Sequence, residues 1–211
     1  MTPTAGLGPP LLVLLLSAAL VAAQDTAVTR WNDLFTKGYK SEIEPNRYLA
    51  ETIKGRIPGS ALDIAMGQGR NALLLAAEGW TVTGFDLSDV AVGRARERAK
   101  QRGLRLNAAV GNVDTFDYGQ NRWDLVTGIY IHGLLTNNAA KVVRSLKPGG
   151  VLVVEGFHRE ALADAGYRTN ELPAVFSALT ILRYEDAIGR PDTAWTDLVQ
   201  FRYVRLLARK D

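Results

Sequence analysis

Two carboxylates and a pair of glycines are spaced so that they could hold a small organic ligand. In Asp63-Ile64-Ala65-Met66-Gly67-Gln68-Gly69-Arg70-Asn71 a short apolar run ends in a glycine-bearing turn that opens a helical pattern, and Asp86 closes the next apolar run in Phe85-Asp86-Leu87-Ser88. Glycine has no side chain to keep a ligand off the backbone. Gly67-Gln68-Gly69-Arg70-Asn71-Ala72 satisfies G-x-G-x-x-G/A, with Asp86 where a ribose-binding acid would follow, so the pattern alone admits a nicotinamide dinucleotide. Asp63 argues for a different ligand. A carboxylate at the mouth of the turn repels a pyrophosphate but attracts an ammonium group, directly or through water. A nucleoside with an amino-acid tail carries that group, and S-adenosylmethionine is such a molecule. On these residues alone both ligands stay open.

A second set could serve an acceptor. Were the ligand S-adenosylmethionine, methyl transfer from its sulfonium would disperse positive charge, so that alignment and exclusion of water could supply most of the acceleration. A base is needed only where the acceptor must lose a proton. Tyr130 and His132 follow one apolar run and His158 follows another, with Glu155 close by. Tyr130 and His132 are the candidates for catalytic contact. Ordinary loop histidines and strand-end packing of the tyrosine are the plainer readings. The sequence has no Cys, no G-x-S-x-G and no P-loop, and no His/Asp/Glu grouping with metal-ligand spacing. Arg94, Arg96, Arg98, Lys100 and Arg102 make one helix basic, but without interleaved aromatics they read as a solvated surface and not as a nucleic-acid patch.

These residues need a scaffold that brings strand ends together. Short apolar runs alternate with helical patterns, which predicts a parallel α/β sheet wound on both faces. Strands are expected over 60–65, 80–86, 104–110, 123–130 and 151–157, with helices over 71–78, from Ser88 or Asp89 to 102, and over 137–146. Lys147-Pro148-Gly149-Gly150 should form a turn. Two further strands, over 179–184 and 199–207, are joined through Gly189-Arg190-Pro191 by a connection too short for a crossover helix, so the last strand should be antiparallel. In such a sheet ligands bind beyond the carboxyl ends of the strands, where Asp63 and Asp86 lie.

Taken together, ALDIAMGQGRNALLLA, VTGFDLS, WDLV and LKPGGVLVVEGF, preceded by RWNDLF and EPNRYL, resemble a class I S-adenosylmethionine-dependent methyltransferase of the small-molecule branch near the tellurite-resistance and thiopurine-type enzymes. The resemblance implies a Rossmann-like, doubly wound sheet of seven strands with the last antiparallel. It implies a cofactor site drawn from Asp63, Ala65, Gly67, Gly69, Asn71, Asp86, Leu87, Asn112 and Val113. There Asp63 lies beneath the ammonium, Asp86 accepts from both ribose hydroxyls and Leu87 lies against adenine. The first glycine of the usual G-x-G-x-G is Ala65 here, a change of one methyl. The adenine-facing position is Asn112, or Asp114 if the register shifts by two. Trp31, Phe35, Tyr39 and Tyr48 would belong to a cover that excludes water. A small-molecule methyl acceptor, and no nucleic acid or metal, is implied. A nicotinamide-dependent oxidoreductase and a non-catalytic cofactor-binding module are the alternatives.

The chain has 211 residues with 47% hydrophobic and 22% charged side chains, enough for one sizeable core and too apolar for disorder. Its formal charge of +3 is unevenly spread, because residues 1–23 carry no ionisable side chain. Their apolar stretch is short for a bilayer span, and Val21-Ala22-Ala23 offers the small residues of a signal-peptidase site, although no Lys or Arg precedes it. The expected division is a signal-like segment over 1–23 and one domain over 24–211, in which 24–58 forms the cover and 59–211 the core. Export would separate the domain from a cofactor made in the cytoplasm; a misassigned start would remove the conflict.

Overall fold

The computed structural model describes residues 25–38, 44–190 and 200–211, so the signal-like segment, Tyr39 and most of the connection after Gly189 lie outside the described residues. Helix α1 covers residues 25–36. It is followed by α2 (Arg47–Ile53), β1 (Ser60–Ile64), α3 (Arg70–Ala77), β2 (Thr81–Asp86), α4 (Asp89–Gln101), β3 (Asn107–Val110) and β4 (Trp123–Ile129). Then come α5 (His132–Asn137), α6 (Ala139–Ser145), β5 (Leu146–Phe157), α7 (Glu171–Val175), β6 (Thr180–Gly189) and β7 (Phe201–Arg209).

One seven-stranded sheet runs in the order β3-β2-β1-β4-β5-β7-β6. Strands β1 to β5 pair in parallel. Strand β7 is antiparallel to both its neighbours, as the short connection predicts. Because side chains alternate across a strand, successive residues feed two cores. Leu62, Ile64, Phe85, Val126, Leu152 and Val154 pack with Leu135, Val142, Leu172 and Phe176 from α5, α6, α7 and the residue after α7. Ala61, Val82, Leu125, Val151 and Val153 pack on the other face with Tyr48, Leu49, Ala72, Leu75, Val92 and Ala95 from α2, α3 and α4. Strand order reverses between β1 and β4, which opens a crevice at their carboxyl ends.

Local chemistry sets the element ends. Ser88, and not Asp89, caps α4, its Oγ accepting from Ala91 N–H at 3.1 Å. Strand β1 stops at Ile64 and β4 at Ile129 because Ala65 and Tyr130 take positive φ, 50° and 61°. The helix expected over 137–146 is two short helices, α5 and α6, with Asn138 at their junction. The Lys147-Pro148-Gly149-Gly150 turn is absorbed into β5 as a bulge, pairing skipping from Trp123↔Leu146 to Leu125↔Val151. Strand β3 is shorter than expected, and β6 runs on to Gly189.

Candidate cofactor and acceptor site

The glycine turn is built from left-handed backbone. Gly67 and Gly69 have φ of 56° and 82°, and Gly69 is also the N-cap of α3. A Cβ on Gly69 would come within 2.9 Å of the Ala95 Cβ, so α4 packs against the turn only because that position is bare. A Cβ on Gly67 would meet only the Phe35 ring, at 3.6 Å, which places α1 over the turn. Ala65 corrects the expectation that its methyl is a small change. At a φ of 50° it occupies the region a glycine would adopt freely, and L-residues pay about 1–2 kcal/mol there.

Asp86 holds the turn from the end of β2. Its Oδ2 accepts from Gly67 N–H at 2.8 Å and its Oδ1 from Ser88 N–H at 2.9 Å, which leaves each oxygen further lone pairs. Burial pushes its carboxyl up, opposed by the N–H groups of Ser88, Gly67 and Leu87. Asp63 lies deeper, at the end of β1, where burial raises its carboxyl to about 7 against the pull of Arg70 and the Ala72 N–H. Its Oδ2 has no hydrogen-bond partner among the described residues. Thr127, its neighbour in the β1–β4 ladder, likewise has a buried and unpartnered Oγ1. Two buried oxygens without partners are costly unless something polar reaches them.

The remaining sequence candidates divide. Leu87 is half-buried directly after Asp86. Asn71 is buried and uses its Oδ1 to accept from Asn46 N–H at 2.8 Å, holding the start of α2. Asn112 folds its Oδ1 onto Asp114 N–H at 2.8 Å, beside the Gly111 N–H that bonds Asp86 O. Asp114 is tied instead to Asn138 Nδ2 at 2.8 Å, at the α5–α6 junction. Val113 is buried in the core.

On the acceptor side, His132 is buried and its Nε2 accepts from Phe157 N–H at 3.0 Å, so this ring holds the end of β5. Tyr130 is half-buried and its phenol donates to Glu155 Oε1 at 2.6 Å. Sequence reasoning places Glu155 only beside the acceptor candidates and does not single out Asn46. Glu155 had a signal, an acid inside the apolar run VLVVEGF; Asn46 had none.

The cover is fastened by polar contacts. Asn32 of α1 donates to Asp89 Oδ1 at 2.6 Å and accepts from Ser88 Oγ at 2.5 Å, while Arg94 reaches Phe35 O at 2.5 Å. Arg96 donates to Ala108 O and Arg98 to Gln68 O, while Arg96, Lys100 and Arg102 stay exposed, so the basic helix is the solvated surface expected of it and also ties into the fold. Tyr48 is core rather than cover, packed on the sheet beneath Arg205 and Arg183.

These residues suit S-adenosylmethionine. The bare backbone of Gly67, the acid left with an open oxygen at the end of β1 and the acid with spare acceptors at the end of β2 match an amino-acid tail and a ribose. A model of a family described as a methyltransferase domain matches residues 61–150. An uncharacterized methyltransferase of Synechocystis is 32% identical over 48% of this chain and 49% of its own. TehB of Haemophilus influenzae, an S-adenosyl-L-methionine-dependent methyltransferase by name, is 22% identical over 84% of this chain and 66% of its own. The TehB crystal structure superposes with a TM-score of 0.69 at 18% identity, covering 86% of this chain and 67% of that one. The magnesium protoporphyrin IX methyltransferase of Synechocystis, solved with S-adenosylhomocysteine, gives 0.66 at 15% identity, covering 89% and 99%. The chain thus spans about half to two thirds of the length of these two curated relatives. Fold and site together resemble those of class I S-adenosylmethionine-dependent methyltransferases.

Proposed function

We propose that the protein transfers the methyl group of S-adenosylmethionine to a small-molecule acceptor. The observation that carries this reading is the pair of buried acids on either side of the left-handed glycine turn, with one Asp63 oxygen unpartnered among the described residues. Bound S-adenosylmethionine supplies a methyl group on a sulfonium, open to in-line displacement by the acceptor. Asp63 answers the ammonium, Gly67 and Gly69 give the amino-acid moiety access to the backbone, and Ala65 shapes that turn. Asp86 accepts from the ribose hydroxyls, while Leu87, Asn112 and Val113 border the adenine. Asn71 acts one step back, anchoring α2. Helix α1, with Phe35 over Gly67, excludes water.

Tyr130 is the acceptor-side contact this geometry favours over His132. A base at His132 Nε2 would first have to release the Phe157 N–H. The engagement of Arg94, Arg96 and Arg98 with carbonyl oxygens supports a small acceptor over a nucleic acid. Incubation with radiolabelled S-adenosylmethionine and a panel of thiols, amines and oxyanions tests the proposal. Label should pass to at least one class. Binding of the cofactor with transfer to none of them would establish a binding module in place of an enzyme.

A further inference from the structure

Glu155 has no exposed surface, sits near the carboxyl end of β5, and makes more polar contacts than a strand residue needs. Its backbone carbonyl accepts from Tyr130 N–H at 2.7 Å, and its Oε1 accepts from the Tyr130 phenol at 2.6 Å. The same residue therefore grips Tyr130 at both ends. That grip falls on a tyrosine with a φ of 61°, a conformation a bulky L-residue adopts only when its surroundings impose it. The carboxylate is itself fixed from two directions. Oε2 accepts from Arg205 Nε at 2.6 Å, and Oε1 also accepts from Asn46 Nδ2 at 2.7 Å.

Both anchors lead elsewhere in the fold. Arg205 lies opposite Glu155 in the β5–β7 ladder, is stacked over Tyr48 and Tyr203 and shares Glu185 at 3.3 Å. Asn46 caps α2 by accepting from Leu49 N–H at 2.9 Å and donates its own N–H to Asn71 Oδ1 at 2.8 Å. Asn71 is the second residue of α3, directly behind the glycine turn. One chain of hydrogen bonds thus runs from α3 through Asn71, Asn46 and Glu155 to Tyr130. Packing alone would not require it: an arginine needs only one counter-ion, and Glu185 is already within reach.

We propose that Glu155 is the positioning residue of the acceptor site: it sets the Tyr130 phenol and, through Asn46 and Asn71, ties that setting to the cofactor turn. This role rests on the methyltransferase reading above. Glu155 itself touches neither reactant. It acts by holding Tyr130, the contact on the acceptor side, and a carboxylate suits the task because its two oxygens can take a phenol, an amide and a guanidinium together.

The test uses full-length protein labelled with [ζ-13C]tyrosine, in which loss of one signal in Tyr130→Phe assigns Tyr130. Two variants are compared with wild type. Glu155→Gln keeps an oxygen for the phenol, and Glu155→Leu/Arg205→Met removes the ion pair as a unit so that no buried charge is stranded. The Tyr130 signal should stay closer to its wild-type position in Glu155→Gln, which keeps one acceptor, than in the double variant, where it should move to that of solvent-exposed tyrosines. Saturating S-adenosylhomocysteine should shift the signal in the first protein and leave it unmoved in the second. A Tyr130 signal indifferent to the double replacement, or a ligand-induced shift that survives it unchanged, would overturn the role. If S-adenosylhomocysteine binds no form of the protein, the cofactor reading fails, whereas the ligand-free spectra still decide whether Glu155 sets Tyr130.

Discussion

Asp63 and Asp86 differ in what surrounds them, and that difference makes separate predictions. Asp86 gives one oxygen to Gly67 N–H and the other to Ser88 N–H, so its replacement by alanine loosens the turn and removes the proposed ribose acceptors together. Charge-assisted hydrogen bonds of this kind contribute about 1.5–3 kcal/mol each. Asp86→Ala should therefore abolish stabilisation by S-adenosylhomocysteine in a melting assay; an unchanged shift would misplace the ribose acid. For Asp63 the variable is pH. Its carboxyl, raised by burial to about 7, makes the ligand-free fold lose stability as pH rises from the ordinary carboxyl range to that value. A neighbouring ammonium favours the ionised form, so affinity for S-adenosylhomocysteine by calorimetry should increase as pH rises through about 7 and level off above it. Asp63→Asn should flatten that rise. Ala65→Gly should raise stability by about 0.5–1 kcal/mol in urea denaturation, because relief of the positive φ outweighs the added freedom of the unfolded chain. Both acids and both glycines were legible in the sequence, since strand ends and a G-x-G turn are local patterns. The strain at Ala65 was not, because nothing in an alanine's neighbours announces its φ. The double grip of Glu155 on Tyr130 was equally hidden, because it depends on residues that only the register of β4 and β5 brings together.

At the scale of elements, the turn matters through what it lets approach. Gly69 joins β1 to α3 at a φ of 82° with the Ala95 Cβ pressed close, so Gly69→Ala meets both strain and a clash with α4. A loss of about 2–3 kcal/mol in urea denaturation is expected, within the range for overpacking plus a left-handed alanine. A loss under about 0.5 kcal/mol would mean that α4 yields freely. Element existence was read well from the sequence where burial was two-sided, as in β1, β2, β4 and β5, whose apolar runs have no other home in an α/β domain. The misses have local causes. Helix α5 begins at His132, directly after β4, with no side-chain cap to signal it. Helix α7 is five residues long and contains Pro173, which reads as a break. The basic helix is solvated at Arg96, Lys100 and Arg102, as its sequence suggests, and only the folded neighbours show Arg94, Arg96 and Arg98 also reaching backbone oxygens. Arg94 and Arg98 fasten α1 and the glycine turn to α4, and Arg96 fastens β3.

The whole molecule is a doubly wound sheet whose order reverses between β1 and β4, and the two acids, the glycine turn and Tyr130 all sit where β1, β2 and β4 end. Alternation of apolar and helical segments made this architecture legible, together with the antiparallel last strand. Strand order could not be read, because it depends on which edges pair across long separations. Among the described residues no helix is long and apolar enough to cross a membrane. The glycine turn alone fits two cofactors, and the proposed role of the buried acid at its mouth favours S-adenosylmethionine. The most direct measurement is the melting temperature of the protein with S-adenosylhomocysteine and, separately, with NAD at equal concentration. S-adenosylhomocysteine should raise it by several degrees, as binding to the folded state alone requires, and NAD should leave it where it was. Stabilisation by NAD with none by S-adenosylhomocysteine would contradict the account.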